Sequence, residues 1–229
     1  MLTRGALHVQ TTVDYPRVVY TDRIGAGDAL VAWIRPAEDP DALVFALPRG
    51  GIPVAQPFAS AIGCDMRPIL VRKLPVPWSP EMGFGAITVD GTITLNEPIV
   101  RELGIDAATV DRVAARTLAE VERRRDAYPG GWPLPPLEGR HVWLVDDGLA
   151  TGFSAVAAAR MIRAHRCARL SIAVPCGPLD TAQMLTAEAD DVWCAVAQQY
   201  GAFAVAAFYR DFHDMSDAEV VELLGWSPS

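Results

Sequence analysis

The chain has 229 residues, and its 18 Asp and 10 Glu outnumber 19 Arg and a single Lys, giving a net charge of -8 and a pI near 5.0. That balance excludes a basic nucleic-acid binder. With 51% apolar and 21% charged residues, the chain can bury a core, which excludes disordered and collagen-like classes and makes one domain over residues 1–229 the expectation.

The opening residues carry no basic start followed by an apolar stretch, and the longest apolar runs, such as residues 202–208, are too short to span a bilayer. Neither export nor membrane insertion is expected, and a cytoplasmic location is. Cys64, Cys167, Cys176 and Cys194 are dispersed without a Cys-x-x-Cys pair, so they are expected as packed, reduced thiols rather than disulfides or zinc ligands.

In chain order, the apolar run 44–47 stops at Pro48-Arg49-Gly50-Gly51, and a helix-compatible stretch covers about 54–62: strand, glycine turn, helix. A second buried strand is expected over 69–71. It ends in Arg72-Lys73, and Pro75, Pro77 and Pro80 then preclude a regular helix. Residues 85–94 read as two β-rich runs around the turn Asp90-Gly91. From Ala107 to Tyr128, Val110, Val113, Ala114, Leu118 and Val121 define the apolar face of a long helix. Arg123, Arg124 and Arg125 are interleaved with Glu120, Glu122 and Asp126 and read as a solvated face. Pro129 to Pro136 then breaks the chain.

The strongest strand is 142–145, followed by Asp146-Asp147-Gly148 and Ala150-Thr151-Gly152 before an apolar helix over about 154–165. Strand 170–174, helix 181–188 and strand 192–196 complete an alternation that implies parallel pairing in an α/β sheet covered on both faces. Ser216 with Glu219 forms a capping-box pattern opening a last helix through Leu224, with Gly225 as its stop.

Ligands bind beyond the carboxyl ends of strands in such sheets, and three strand ends here carry unusual residues: 48–51, Arg72-Lys73 and 146–154. In the last, backbone N–H groups between Ala150 and Ser154, the Thr151 and Ser154 hydroxyls and a helix N-terminus suit a phosphate. Asp146 and Asp147, one turn upstream, can accept hydrogen bonds from vicinal sugar hydroxyls. Together these describe a ribose 5-phosphate site. Both carboxylates are expected to face solvent, so that replacing the pair by Asn leaves the fold intact. Asp190-Asp191 precedes its strand and reads as surface, and His8, His141, His165 and His213 lack metal-like spacing and read as packing or surface.

Residues 142–154 resemble the thirteen-residue phosphoribosyl diphosphate (PRPP) signature of the type I phosphoribosyltransferases. Residues 46–54, 71–74, 80–82, 84–86 and 208–212 look like a bacterial subgroup of that family, and the resemblance runs from about Asp22 to Leu224. It implies a Rossmann-type open parallel α/β sheet flanked by helices, with a small hood built from terminal segments, about 1–35 and 196–229, and a mobile loop at about 74–95. It further implies that Asp146 and Asp147 hold the ribose hydroxyls, and that Gly148, Ala150, Thr151, Gly152, Phe153 and Ser154 form the phosphate loop. Arg49, Gly50 and Gly51 would cradle the diphosphate, which Arg72 and Lys73 neutralise as it leaves. Mg²⁺ would be held through PRPP, with Asp146 and Asp147 as candidate contacts. Tyr200, Phe203 or Tyr209 would stack on a nucleobase-like acceptor, and the chain would be a homodimer.

Ala150 replaces the acid that 6-oxopurine-specific members use, which counts against hypoxanthine or guanine. Phe153 and Ser154 replace commoner smaller residues and Thr. The competing expectations are a non-catalytic PRPP or nucleotide sensor of the same fold and a phosphosugar hydrolase or carrier.

Overall fold

A computed structural model describes residues 5–125 and 134–224. Six strands form one parallel sheet in the order β1-β9-β8-β7-β2-β3: β1 (Ala6–Val13), β2 (Leu43–Ala46), β3 (Asp65–Pro68), β7 (His141–Val145), β8 (Arg169–Pro178) and β9 (Asp191–Gln198). A separate antiparallel sheet holds β4 (Val71–Val76), β5 (Ser79–Thr88) and β6 (Ile93–Leu95). The helices are α1 (Arg23–Ile34), α2 (Gly51–Ile62), α3 (Glu97–Glu102), α4 (Ala107–Arg125), α5 (Phe153–Ala164), α6 (Leu179–Leu185) and α7 (Asp217–Leu223), with a 3-10 turn at Val205–Phe208.

Both faces of the main sheet are covered, so its central strands read as unbroken apolar runs rather than alternations. Successive side chains still point to opposite faces. Val44, Ala46, Trp143 and Val145 pack in one core with Leu30 of α1 and Val54 and Phe58 of α2. Leu43, Phe45, Val142 and Leu144 pack in another with Ala155, Ala158 and Ile162 of α5 and Leu185 of α6. The doubly wound α/β architecture expected from the alternation is therefore present.

Several boundaries differ from the sequence reading. The strand expected over 69–71 is divided. Its pairing with β2 is made by Asp65–Pro68, starting soon after Gly63 ends α2 at φ +76. Ile69 and Leu70 then connect to β4. The proline-rich stretch is a hairpin: β4 pairs with β5, and the ladder slips at Leu74/Pro75 and Pro75/Val76, where proline has no N–H to offer. The expected turn at Asp90-Gly91 is present between β5 and β6, with Gly91 at φ +84 and the Asp90 carboxylate accepting from Thr92 N at 3.0 Å. The capping box at Ser216 is formed, whereas the expected stop at Gly225 and the break at 129–133 lie outside the described residues.

Segments from both ends of the chain meet beside the strand ends. Val19 and Tyr20 donate to Phe208 O, Arg210 N donates to Tyr20 O, and Asp211 N donates to Thr21 O. Asp191 is buried rather than a surface residue: it accepts from Arg169 at 2.6 Å and pairs with His8 at 3.1 Å. It lies at the amino end of β9, so it belongs to the opposite end of the strands from the candidate site. The four cysteines are free thiols.

Candidate functional site

The ends of β2 and β7 are neighbours in the sheet, so their loops are forced together. Leu47 N donates to Val145 O at 3.0 Å and Gly51 N closes back onto Leu47 O at 2.9 Å, turning the chain directly into α2. The Pro48-Arg49 peptide is cis. A Cβ on Gly50 would collide with the Asp147 carboxylate, and one on Gly51 would lie 2.8 Å from Val145 O. The glycines are what lets this loop lie against the acid pair.

Asp146 and Asp147 share a constrained corner. Asp147 N donates to Asp146 Oδ1 at 2.8 Å, Arg23 Nε donates to Asp147 Oδ2 at 2.8 Å, and the Tyr209 hydroxyl donates to Asp147 O at 2.6 Å. Burial, reinforced by the neighbouring Asp147 charge, holds the Asp146 carboxyl well above the usual carboxylate range. Asp147 is also raised by burial, with Arg23 acting against that shift. The expectation of two solvent-facing carboxylates is corrected for Asp147, while both residues are half-buried. Only 14% of the Asp147 side chain is exposed, against a guanidinium that is itself 9% exposed.

Beyond the acids, Gly148 and Leu149 are buried, with Leu149 N donating to Cys176 O at 2.8 Å. Ala150, Thr151 and Ser154 are exposed. Gly152 adopts φ +74 and no side chain caps the N-terminus of α5. An uncapped helix start beside two hydroxyl side chains is suited to an anion. Lys73 reaches the same place: with Thr151, Phe153, Ser154, Met82, Gly83 and others it lines a cavity of about 310 Å³. Arg72 is turned to α4, where its guanidinium meets Glu120 at 2.8 Å. Arg72 and Lys73 together line a second cavity against α4, with Pro75, Arg116 and Glu120, and of the two only Lys73 also lines the one at the phosphate loop.

The three aromatic residues expected at an acceptor divide similarly. Tyr200 is 64% exposed, Phe203 packs on Phe208 at 5.3 Å between ring centroids, and Tyr209 is 4% exposed between Tyr20 and Phe212. Tyr209 is thus a support for the acid loop rather than a stacking face. Tyr209→Phe, which removes only its hydroxyl, should cost about 1 kcal/mol, read as a melting temperature lower by about 2–4 °C. An unchanged melting curve would show that the bond to Asp147 O contributes nothing.

Arg23 was missed by the sequence reading. Its signal was its position: it opens α1 behind the N-cap Asp22, at the end of a helix where a cation is opposed by the dipole and so needs another reason to be there.

No family model matches the chain. It is 33% identical to the protein in the crystal structure of TT1426 from Thermus thermophilus, covering 90% of this chain and 97% of that one with a TM-score of 0.72. Two curated Mycobacterium tuberculosis proteins, from strains CDC 1551 / Oshkosh and ATCC 25618 / H37Rv, carry the name "Putative phosphoribosyl transferase" and are each 40% identical over 206 residues, 90% of this chain. Over that stretch the chain is similar to proteins named phosphoribosyl transferases. It spans about half the length, 46%, of those curated relatives. The residues of the expected signature, 142–154, are the end of β7, the acid corner and the first turn of α5. Among the described residues no helix is long and apolar enough to cross a membrane.

Proposed function

We propose that this chain transfers a 5-phosphoribosyl group from PRPP to a nitrogen of a nucleobase-like acceptor, releasing diphosphate. The observation that carries the reading is the packing of the Gly50-Gly51 loop onto Asp146 and Asp147, one turn before the uncapped start of α5. Asp146 and Asp147 would take the ribose hydroxyls, residues 150–154 the 5-phosphate, and Arg49, Gly50 and Gly51 the diphosphate. Lys73, at the mouth of the phosphate loop, would offset the negative charge of the bound donor. The chemistry needs no protein nucleophile: the C–O bond to diphosphate breaks with its electrons leaving on oxygen, and the acceptor nitrogen forms the new bond at the same carbon. Alignment and charge stabilisation are the protein's contribution. The hairpin β4–β5 would act as the cover that keeps water from the anomeric carbon.

Mg²⁺ would be held chiefly through PRPP, with Asp146 beside the diphosphate loop and Asp147, which already pairs with Arg23, as the candidate protein contacts. What Mg²⁺ supplies when bound is neutralisation of the departing diphosphate. The reading extends, on family grounds alone, to a cytoplasmic homodimer without nucleic acid as a partner. Light scattering after size exclusion tests the dimer.

The deciding experiment is calorimetric titration with PRPP, with and without Mg²⁺, followed by incubation with a panel of bases and detection of nucleotide product by mass. Mg²⁺-dependent binding followed by a nucleotide product supports transfer. Binding without any product turns the reading toward a sensor, and phosphate release without acceptor turns it toward a hydrolase. No binding under any condition overturns it.

A further inference from the structure

We propose a second anion site, in the cavity between the hairpin β4–β5 and α4, where a phosphate dianion, free or at the end of a small ester, binds and opposes the donor through Lys73. The cavity holds about 410 Å³, and Arg72, Lys73, Arg116 and Glu120 line it. It shares one residue, Lys73, with the cavity at the phosphate loop, and among the described residues it takes nothing from 48–51 or 146–154. In a chain of net charge -8, three cations against one carboxylate are a local reversal of sign. Like charges gathered at one cavity repel one another, and a phosphate dianion matches their excess.

The cations are placed by two elements. Arg116 and Glu120 stand one turn apart on α4 and so share a face. Glu120 meets the Arg72 guanidinium through Nη2 at 2.8 Å, which holds that group at the cavity wall. One carboxylate does not exhaust it: a guanidinium presents a planar fork of N–H donors that suits a phosphate as well as a carboxylate, and 37% of the Arg72 side chain is still exposed. Arg116 is exposed too. Pro75 and Pro80 complete the wall without offering an N–H, so recognition falls to the cations. Two guanidinium groups and an ammonium around one concave space are suited to phosphate.

Lys73 couples the two cavities. One ammonium cannot lie against a phosphate in each, and a second dianion near the first is repelled by it. An anion held against α4 therefore weakens donor binding, and by linkage the donor weakens the anion by the same factor. The coupling rests on the functional reading above; the site does not.

The test is calorimetric titration of the full chain with inorganic phosphate at fixed ionic strength, in the wild type, in Arg116→Gln and in Glu120→Gln. Arg116 is exposed on a helix and lies outside the donor machinery, so its variant should fold and keep its PRPP affinity in phosphate-free buffer. Arg116→Gln should weaken one class of phosphate binding by about tenfold or more. Glu120→Gln removes the carboxylate that competes for Arg72, and it should strengthen the same class several-fold. Phosphate binding that is identical in the wild type and Arg116→Gln overturns the proposal, and so does an affinity that Glu120→Gln fails to raise. Glycerol 3-phosphate, titrated in the same way, separates the two sources of the ligand: affinity equal to that of phosphate assigns the site to the free ion, and tighter binding that Arg116→Gln abolishes assigns it to an ester. The coupling is read from the PRPP dissociation constant, which added phosphate should raise more in the wild type than in Arg116→Gln, where only direct competition at the phosphate loop is left. An equal rise in both overturns the coupling. Wild-type protein that fails to bind PRPP refutes the functional reading, while the phosphate titrations still decide the site.

Discussion

Asp146→Asn should raise the melting temperature of this protein at pH 8, and Asp147→Asn should lower it, although the two side chains are adjacent and both expected to be required for donor binding. Burial and the Asp147 charge raise the Asp146 pKa in the folded state. A group with a raised folded pKa contributes stability that is present below its unfolded value and is lost as pH rises through the folded one. Near neutrality and above, an ionised Asp146 therefore costs stability, and a neutral Asn of the same shape removes that cost while its Oδ1 can keep accepting from the N–H of residue 147. The expected gain is about 1 kcal/mol, or about 2–4 °C, larger at pH 8 than at pH 5. Asp147→Asn instead leaves the Arg23 guanidinium buried without its counter-charge, a change that typically costs about 3–5 kcal/mol, or roughly 6–20 °C. Thermal melts of the two variants at both pH values check this. Shifts of the same sign would refute the assignment of opposite roles.

Gly50→Ala should act through a single contact. Gly50 sits at φ -64 and ψ -30, a backbone that alanine adopts freely, so the substitution carries no conformational penalty of its own. Its new methyl would collide with the Asp147 carboxylate and lie 3.1 Å from Arg23 Nε. Overpacking of that kind costs about 1–3 kcal/mol, and displacing Asp147 should weaken PRPP binding by about tenfold or more. On an Asp147→Ala background the obstructing carboxylate is gone and the same Gly50→Ala change should cost little. The coupling between the two positions is expected at about 1–3 kcal/mol. Additive effects in that double-mutant cycle would mean that the loop does not lean on the acid.

The segment from Val142 to Ser154 was legible to within a residue because its information is local: a doubly buried strand, two acids, a glycine at positive φ and an apolar helix follow one another without interruption. The hairpin β4–β5 was hidden by its prolines, which argue against a helix but sit here at ladder slips that no local pattern announces. Helix α1 was missed because its buried positions are Arg23, Ala26, Gly27 and Leu30, a stripe with almost no contrast to its exposed face. Gly27 belongs to that stripe because a Cβ would collide with Val54 O of α2, a close helix contact that only the folded pair reveals. The same reason separates Tyr209 from Tyr200: both are aromatic residues near the end of the chain, and only the distant Asp147 carbonyl decides that one is a support and the other is exposed.

The pairing of β1 with β9 sets a timetable for synthesis. His8 and Asp191 touch across the two strands although 183 residues separate them. At a translation rate of about 5–20 residues per second, β1 waits roughly ten to forty seconds on the ribosome before its partner has been made. During that interval its ladder of N–H and C=O groups has no native neighbour, and the rest of the sheet must assemble from β2, β3, β7 and β8 first. A nascent chain halted after β8 should accordingly hold most of its core with β1 still accessible to a protease, and acquire protection there only when β9 emerges.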